Sequence, residues 1–349
     1  MSDDIFKEGG PHNIKRTGPN EFSMNISLPR DADGMLPREC PTDSCSPAYF
    51  KVKPGTGLTG EPHAFCPYCR HEAEPGSFKT PSQVEYAKQV ATREAMGGID
   101  NLISNSLDLG PSGKKTIDGG LFSLEISYQP PSRPPVPRPF GEELRRDLTC
   151  PKCTLDHAVF GIAIWCPDCG SDIFLEHVSR EYDVVKQMLA DIDNRRERLG
   201  SRVAARDLEN ALEDTVSVFE AVLRAITRRF LMLSHPAQEV DDILRKRVAN
   251  RYQNIDLARD TALSEFNVQL FESITVEELE ALKSTFEKRH PITHNLGIVD
   301  RKYLQKAQSG GLEGRDVRVT PQEVSQAIDL SQRVFHDIYP RVFPQSTSK

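Results

Sequence analysis

Two sets of residues in this 349-residue chain have the types and spacing for chemistry. The first is Arg289-His290-Pro291-Ile292-Thr293-His294-Asn295, an arginine and a histidine with four residues between them, set where a helix should end. Arginine offers a planar fork of donors suited to two phosphate oxygens, and it keeps its charge at any cellular pH. Histidine titrates near neutrality, so it can take a proton from one oxygen and return it to another. Together they suit attack of a ribose 2′-hydroxyl on its own neighbouring phosphate, a step that needs a base and charge stabilisation. RNA carries that nucleophile and DNA does not. A plainer role is also open, since Lys288, Arg289 and His290 at a helix C-terminus would complement its macrodipole with no further duty.

The second set is eight cysteines in two groups of four. Cys40-x4-Cys45 is followed twenty residues on by Cys66-Pro-Tyr-Cys69, and Cys150-Pro-Lys-Cys153 by Cys166-Pro-Asp-Cys169. A knuckle of this spacing turns tightly enough to aim two thiolates at one ion, and two knuckles close a tetrahedral site. In a reducing compartment metal explains the pairs better than disulfides do. Two structural zinc ions are therefore expected, and His63, His71 and His157 nearby are not needed as ligands. Neither ion is expected to serve in catalysis.

These residues need elements to position them. Phe22-Ser-Met-Asn-Ile-Ser-Leu28 alternates apolar and polar residues like a half-buried strand, and Phe122-Ser-Leu-Glu-Ile-Ser-Tyr128 nearly repeats it. Either a strand-plus-zinc unit occurs twice or the two strands pair. Pro81 to Leu107 has helical spacing, Ala158 to Trp165 reads as a strand entering the last knuckle, and Gly110 to Thr116 reads as a solvated turn. From Glu176 the pattern turns to long helices. Leu208, Leu212, Val216, Phe219, Leu223, Ile226, Phe230 and Leu233 form one stripe about 30 residues long. A helix is expected before it over Ser179–Arg198, and others after it over Val240–Ile255 and Leu257–Ile274. Thr275-x-x-Glu278 and Thr320-Pro-Gln-Glu323 are capping boxes that start two more. Pro291 should end the first of these near Arg289, leaving Arg289 and His294 to flank a turn.

The expected architecture is multidomain and mainly α: a C-terminal helical bundle preceded by two small β-rich zinc ribbons. Its parts are a flexible arm (1–20), a strand with ribbon 1 (21–78), a helix and strand connector (79–128), a Pro-rich linker (129–141), ribbon 2 (142–175) and the bundle (176–345). Gln308–Gly314 is expected to be a mobile loop within the bundle. The net charge of −7 argues against coating nucleic acid through bulk electrostatics. From Phe174 onward 26 Lys+Arg face 28 Asp+Glu, so any RNA contact must be local. No apolar run approaches the roughly 18 residues of a membrane helix, and the chain is expected to be soluble and cytoplasmic.

With its helical context and the continuation His294-Asn-Leu-Gly-Ile-Val-Asp-Arg-Lys-Tyr-Leu304, the Arg-x4-His motif resembles the HEPN superfamily (higher eukaryotes and prokaryotes nucleotide-binding domain) over roughly Glu176 to Phe343. The resemblance implies a metal-independent endoribonuclease of the toxin, abortive-infection or antiviral type that leaves 2′,3′-cyclic phosphate ends. It implies Arg289 as the phosphate and transition-state binder and His294 as the acid/base, with the motifs of two subunits meeting in a homodimer. His290 stands at the polar position after the arginine, and Asn295 and Tyr303 are candidates to orient substrate. RNA is the expected substrate, and the ribbons or the Pro-rich linker would engage a target or a protein partner. Some members of the superfamily lack activity, so a non-catalytic adaptor that binds a nucleotide or a partner is the alternative.

Overall fold

The computed structural model describes the chain except for residues 1–4, 7, 20, 59, 61, 111, 119–121, 133–135, 137–144, 308–312 and 345–349. Most of the Pro-rich linker and of the loop around Gly310 lies outside the described residues. Two compact units emerge, one built mainly from residues 1–160 and the other mainly from 161–349.

The first unit opens with a small hairpin, β1 (Lys15–Gly18) against β2 (Glu21–Ser23). The expected flexible arm therefore contains half a hairpin, anchored by buried Ile14 and by the Phe6 ring 5.1 Å from that of Phe22. The strand expected from Phe22 to Leu28 ends at Ser23. Asn25 donates one bond to His12, but no partner ladder continues beyond it, and an extended segment without a ladder is not a strand.

Next come β3 (Leu36–Glu39) and β4 (Tyr49–Val52), joined through Cys40 and Cys45, and then the short pair β5 (Ala64–Phe65) and β6 (Glu72–Ala73). Helix α1 (Pro81–Ser106) starts at a reciprocal box between Thr80 and Gln83, with Pro81 in the first turn, where its missing N–H costs nothing. It fills the expected span. Strands β7 (Lys114–Asp118) and β8 (Ser123–Ser127) form a hairpin, so the segment read as a turn is a turn only as far as Gly113. The repeated strand β8 pairs with β7, and β2 pairs with β1; neither pairs with the other.

Strands β9 (Arg146–Thr149) and β10 (Asp156–Val159) flank the third knuckle. Here the expectation of two separate ribbons is corrected. All four strands make one antiparallel sheet in the order β3-β4-β10-β9, with Phe50 opposite Val159 and Val52 opposite His157. An isolated two-stranded ribbon leaves two unpaired edges. Joining β4 to β10 removes one edge from each hairpin and buries Phe50, Ala158 and Val159 to 1 % exposure or less. The strand expected to run on to Trp165 stops at Val159, because Ile164 and Trp165 instead give their N–H groups to the carbonyl of Pro67.

The second unit is a helical bundle. Helices α2 (Phe174–Ala190) and α3 (Ile192–Leu199) replace the single helix expected over Ser179–Arg198, with a break at Asp191. Helix α4 (Ser201–Leu231) carries the long stripe from Leu208 to Phe230, while Leu233 lies beyond it and is exposed. After it come α5 (Ala237–Ile243), a wide turn at Leu244–Val248, and a short helical turn at Arg251–Gln253 where one helix was expected. Ala249, with φ +42°, ends the wide turn and explains the interruption.

Helix α6 (Ile255–Phe266) stops eight residues short of Ile274, because Asn267 takes a left-handed conformation that closes its last turn. Helix α7 (Val276–Glu287) begins at the Thr275–Glu278 box. It is followed by α8 (Arg289–Asn295), α9 (Arg301–Ala307) and, from the Thr320–Glu323 box, α10 (Pro321–Val342). Nine α-helices, α2 to α10, thus stand among the described residues of the second unit where five or six were expected. Helices α2, α4, α7 and α10 enclose a core in which Phe219 meets Phe286 and Phe335, each at 5.2 Å between ring centroids. No helix is long and apolar enough to cross a membrane.

Candidate functional sites

The eight cysteines converge as their spacing requires. Cys40, Cys45, Cys66 and Cys69 bring their sulfurs within 4.8 Å of one another, and so do Cys150, Cys153, Cys166 and Cys169. Cys45 and Cys66 sulfurs stand 3.6 Å apart, and those of Cys150 and Cys169 stand 3.8 Å apart. A tetrahedron of sulfurs bonded at about 2.3 Å has edges of about 3.8 Å, so each quartet can hold one metal ion.

The backbone shows why. In three knuckles the residue after the second cysteine is left-handed: Arg70 at φ +63°, Thr154 at +62° and Gly170 at +63°. Each returns its N–H to the carbonyl of the first cysteine, as Arg70 does to Cys66, Thr154 to Cys150 and Gly170 to Cys166. That reversal points both thiols to one side. Two knuckles also exchange bonds, Phe65 N–H to the Pro167 carbonyl at 2.8 Å and Trp165 N–H to the Pro67 carbonyl at 3.1 Å. Trp165 itself lies under the Arg229 guanidinium, 4.5 Å from its ring, and Phe343 packs against the same cation at 4.1 Å. Asp172 accepts from Arg229 at 2.7 Å.

At the other candidate site, the structure corrects the expected turn. After a single non-helical residue, Lys288, the chain re-enters a helix, and α8 runs from Arg289 through Pro291 to Asn295. Proline at the third position lies within the first turn, where no helical N–H bond is lost. Arg289 and His294 therefore share one short helix, five positions apart and about 140° around its axis.

Arg289 turns inward. Its Nη1 donates to Gln253 Oε1 at 3.0 Å, and Gln253 in turn donates to Glu220 at 2.7 Å, which fixes the amide's orientation. Arg289 Nε is buried without a partner among the described residues. Beside it Asn254 donates to the buried carboxylate of Glu287 at 2.6 Å, and burial raises the Tyr252 hydroxyl to about 12, which keeps it neutral. His294 is exposed, and its ring is tilted by 57° against that of His290, with centroids 5.0 Å apart. His290 Nε2 stands 3.9 Å from the Asp300 carboxylate, which also accepts from Asn295 at 2.7 Å and from the Tyr303 backbone N–H at 2.7 Å.

Of the expected residues, then, His290 and Asn295 gather around Asp300, His294 lies beside His290, and Arg289 faces Gln253. Tyr303 is 4 % exposed, and its backbone N–H is held by Asp300. Asp300 and Gln253 were not singled out beforehand. Asp300 had a readable signal, an aspartate three residues before a helical tyrosine in the position of an N-cap. Gln253 had none, because its role depends on a contact 36 residues away. No protein-family model, curated protein or solved structure matches this chain.

Proposed function

We propose that the chain is an endoribonuclease of HEPN type whose chemistry needs no metal, and that its two cysteine cages hold structural zinc. The observation that carries the reading is the division of labour on α8. A guanidinium with one buried, unsatisfied N–H and an exposed imidazole lie on the same seven-residue helix. An unsatisfied buried donor on a cation is costly unless an anion completes it. A phosphate oxygen is such an anion.

In the reaction, the imidazole of His294 takes the 2′-hydroxyl proton as the 2′-oxygen bonds to phosphorus. Arg289 stabilises the negative charge that grows on the phosphoryl oxygens. The bond from phosphorus to the 5′-oxygen then breaks, and that oxygen receives a proton from a second imidazolium. The products are a 2′,3′-cyclic phosphate and a 5′-hydroxyl. Because Arg289 and His294 diverge around the helix, the reading assigns the complementary histidine to a second copy of the chain. Zinc fits the cages because four thiolates with no open position favour a closed, non-catalytic ion. The second reading, a non-catalytic adaptor, draws on the Arg289–Gln253 bond, which gives the arginine a structural use of its own.

The test is incubation of zinc-loaded wild type and His294→Ala with a mixed RNA pool in the absence of magnesium, scored for cyclic-phosphate ends. Wild type is expected to cleave, and His294→Ala to be slower by about 100-fold or more. Equal cleavage by both would remove His294 from the mechanism. No cleavage by either favours the adaptor.

A further inference from the structure

The first unit contains a pocket that the ribonuclease reading does not use. It has a volume of about 340 Å³ and lies on the face of the four-stranded sheet that carries Arg38, Phe50 and Val52. Arg38 and Phe50 are directly opposed across β3 and β4, so their side chains share that face. Phe78, set edge-on to Phe50 at 5.9 Å, Leu58 and Leu155 supply further apolar wall. The volume is in the range of small-molecule sites, and the lining follows their usual pattern of apolar walls with a few polar groups.

One wall is built with unusual definition. The loop Lys53-Pro54-Gly55-Thr56-Gly57-Leu58 is pinned at both ends. Lys53 N–H donates to the Asp156 carbonyl at 2.8 Å, Asp156 N–H to Thr56 Oγ1 at 3.0 Å, and Leu58 N–H to Asp168 Oδ2 at 2.5 Å. Gly55 and Gly57 both have positive φ, and a Cβ on Gly57 would collide with Asp168. The loop is therefore held in one shape.

Arg38 is the odd member of this lining. Its side chain makes no hydrogen bond or ion pair among the described residues, although Lys51 and Arg145 in the same unit are tied to Asp31 at 2.8 and 3.5 Å. An unpaired guanidinium against aromatic and aliphatic walls is an incomplete arrangement, because a charge removed from water calls for a counter-charge. Lys53 also lies at the lining, 4.0 Å from the Asp156 carboxylate, whereas the Asp168 carboxylate disfavours a doubly charged guest.

We infer that this pocket binds a small carboxylate with an apolar or aromatic body, its carboxylate forked by Arg38 and its body between Phe50, Phe78 and Leu155. The site is independent of α8, and it gives the cysteine-rich unit a ligand of its own. The guanidinium fork matches two carboxylate oxygens, and the pocket walls match a phenyl-sized group.

The experiment is calorimetric titration of the metal-loaded full-length chain with 3-phenylpropanoate, with 3-phenylpropanamide and with phenyl phosphate. The acid is expected to bind, and the amide to bind at least about tenfold more weakly, because the neutral head loses the charge-assisted bonds. Arg38→Gln, checked for two retained metal equivalents, should lower affinity for the acid to that for the amide. Equal affinity for acid and amide, or an undiminished Arg38→Gln, would overturn the proposal. So would absence of acid binding at millimolar concentration, or tighter binding of phenyl phosphate. The comparison of acid with amide on wild type decides the matter even where Arg38→Gln fails to fold.

Discussion

At the scale of single residues, Arg289 and Arg38 pose the same physical question in two settings. Each is a guanidinium drawn away from water with donors left over. For Arg289 the consequence can be tested by a change that keeps the charge. Arg289→Lys retains a cation but loses the planar fork, so RNA cleavage is expected to fall nearly as far as in Arg289→Ala; activity close to wild type would show that charge alone suffices. The eight cysteines were fully legible in the sequence, because a knuckle is a local structure and its spacing is its geometry. The surroundings of α8 were not. Pro291 was read as a stop signal, yet the chain had already broken at Lys288, and a proline two residues into a new helix is no obstacle. Gln253 is oriented toward Arg289 by Glu220 only because α4 and the turn at Arg251–Gln253 come together in the bundle, which no local pattern encodes.

At the scale of elements, the capping boxes were the most reliable signals, and α7 and α10 start where Thr275 and Thr320 place them. Boxes are readable because both partners lie within four residues. The longer pattern from Val240 to Ile274 was misread as two helices because apolar spacing persists through backbone reversals at Ala249 and Asn267 that only the folded chain shows. The box at α10 also does more than start a helix. Glu323 accepts from the Thr320 N–H at 2.9 Å and pairs with Lys288 at 2.6 Å, joining α10 to the segment just before α8. Burial opposes ionisation of Glu323, but Lys288 and the Thr320 N–H outweigh it, and the carboxyl sits below its ordinary value of 4.5. The folded state therefore favours the ionised form. The stability this supplies is present above pH 4.5 and is lost as the pH falls through the lower folded value. Glu323→Gln is expected to cost no more than about 1 kcal/mol at neutral pH, given solvent screening. It should also flatten the acid limb of a denaturation series below about pH 4.5. Parallel acid limbs for variant and wild type would remove Glu323 from that role.

At the scale of the whole molecule, the class of architecture was legible and its assembly was not. Helical periodicity announced the bundle, and cysteine spacing announced two metal cages. That β4 would pair with β10, over a hundred residues away, could not be read from either hairpin, since both offer similar short, half-apolar strands. Two equivalents of metal are expected per chain by elemental analysis. Chelation should remove both while leaving the helical circular dichroism largely intact, because the bundle has its own aromatic core; collapse of the helical signal would contradict that independence. The chain contains a single tryptophan, and it is Trp165, one residue before Cys166 of the second quartet and under the Arg229 cation. Its emission is therefore a built-in optical gauge of the two joined knuckles, because its own N–H is bonded to Pro67 between Cys66 and Cys69. Loss of metal from either quartet should shift that ultraviolet fluorescence, so loosening of the joined knuckles can be followed in a cuvette without a label.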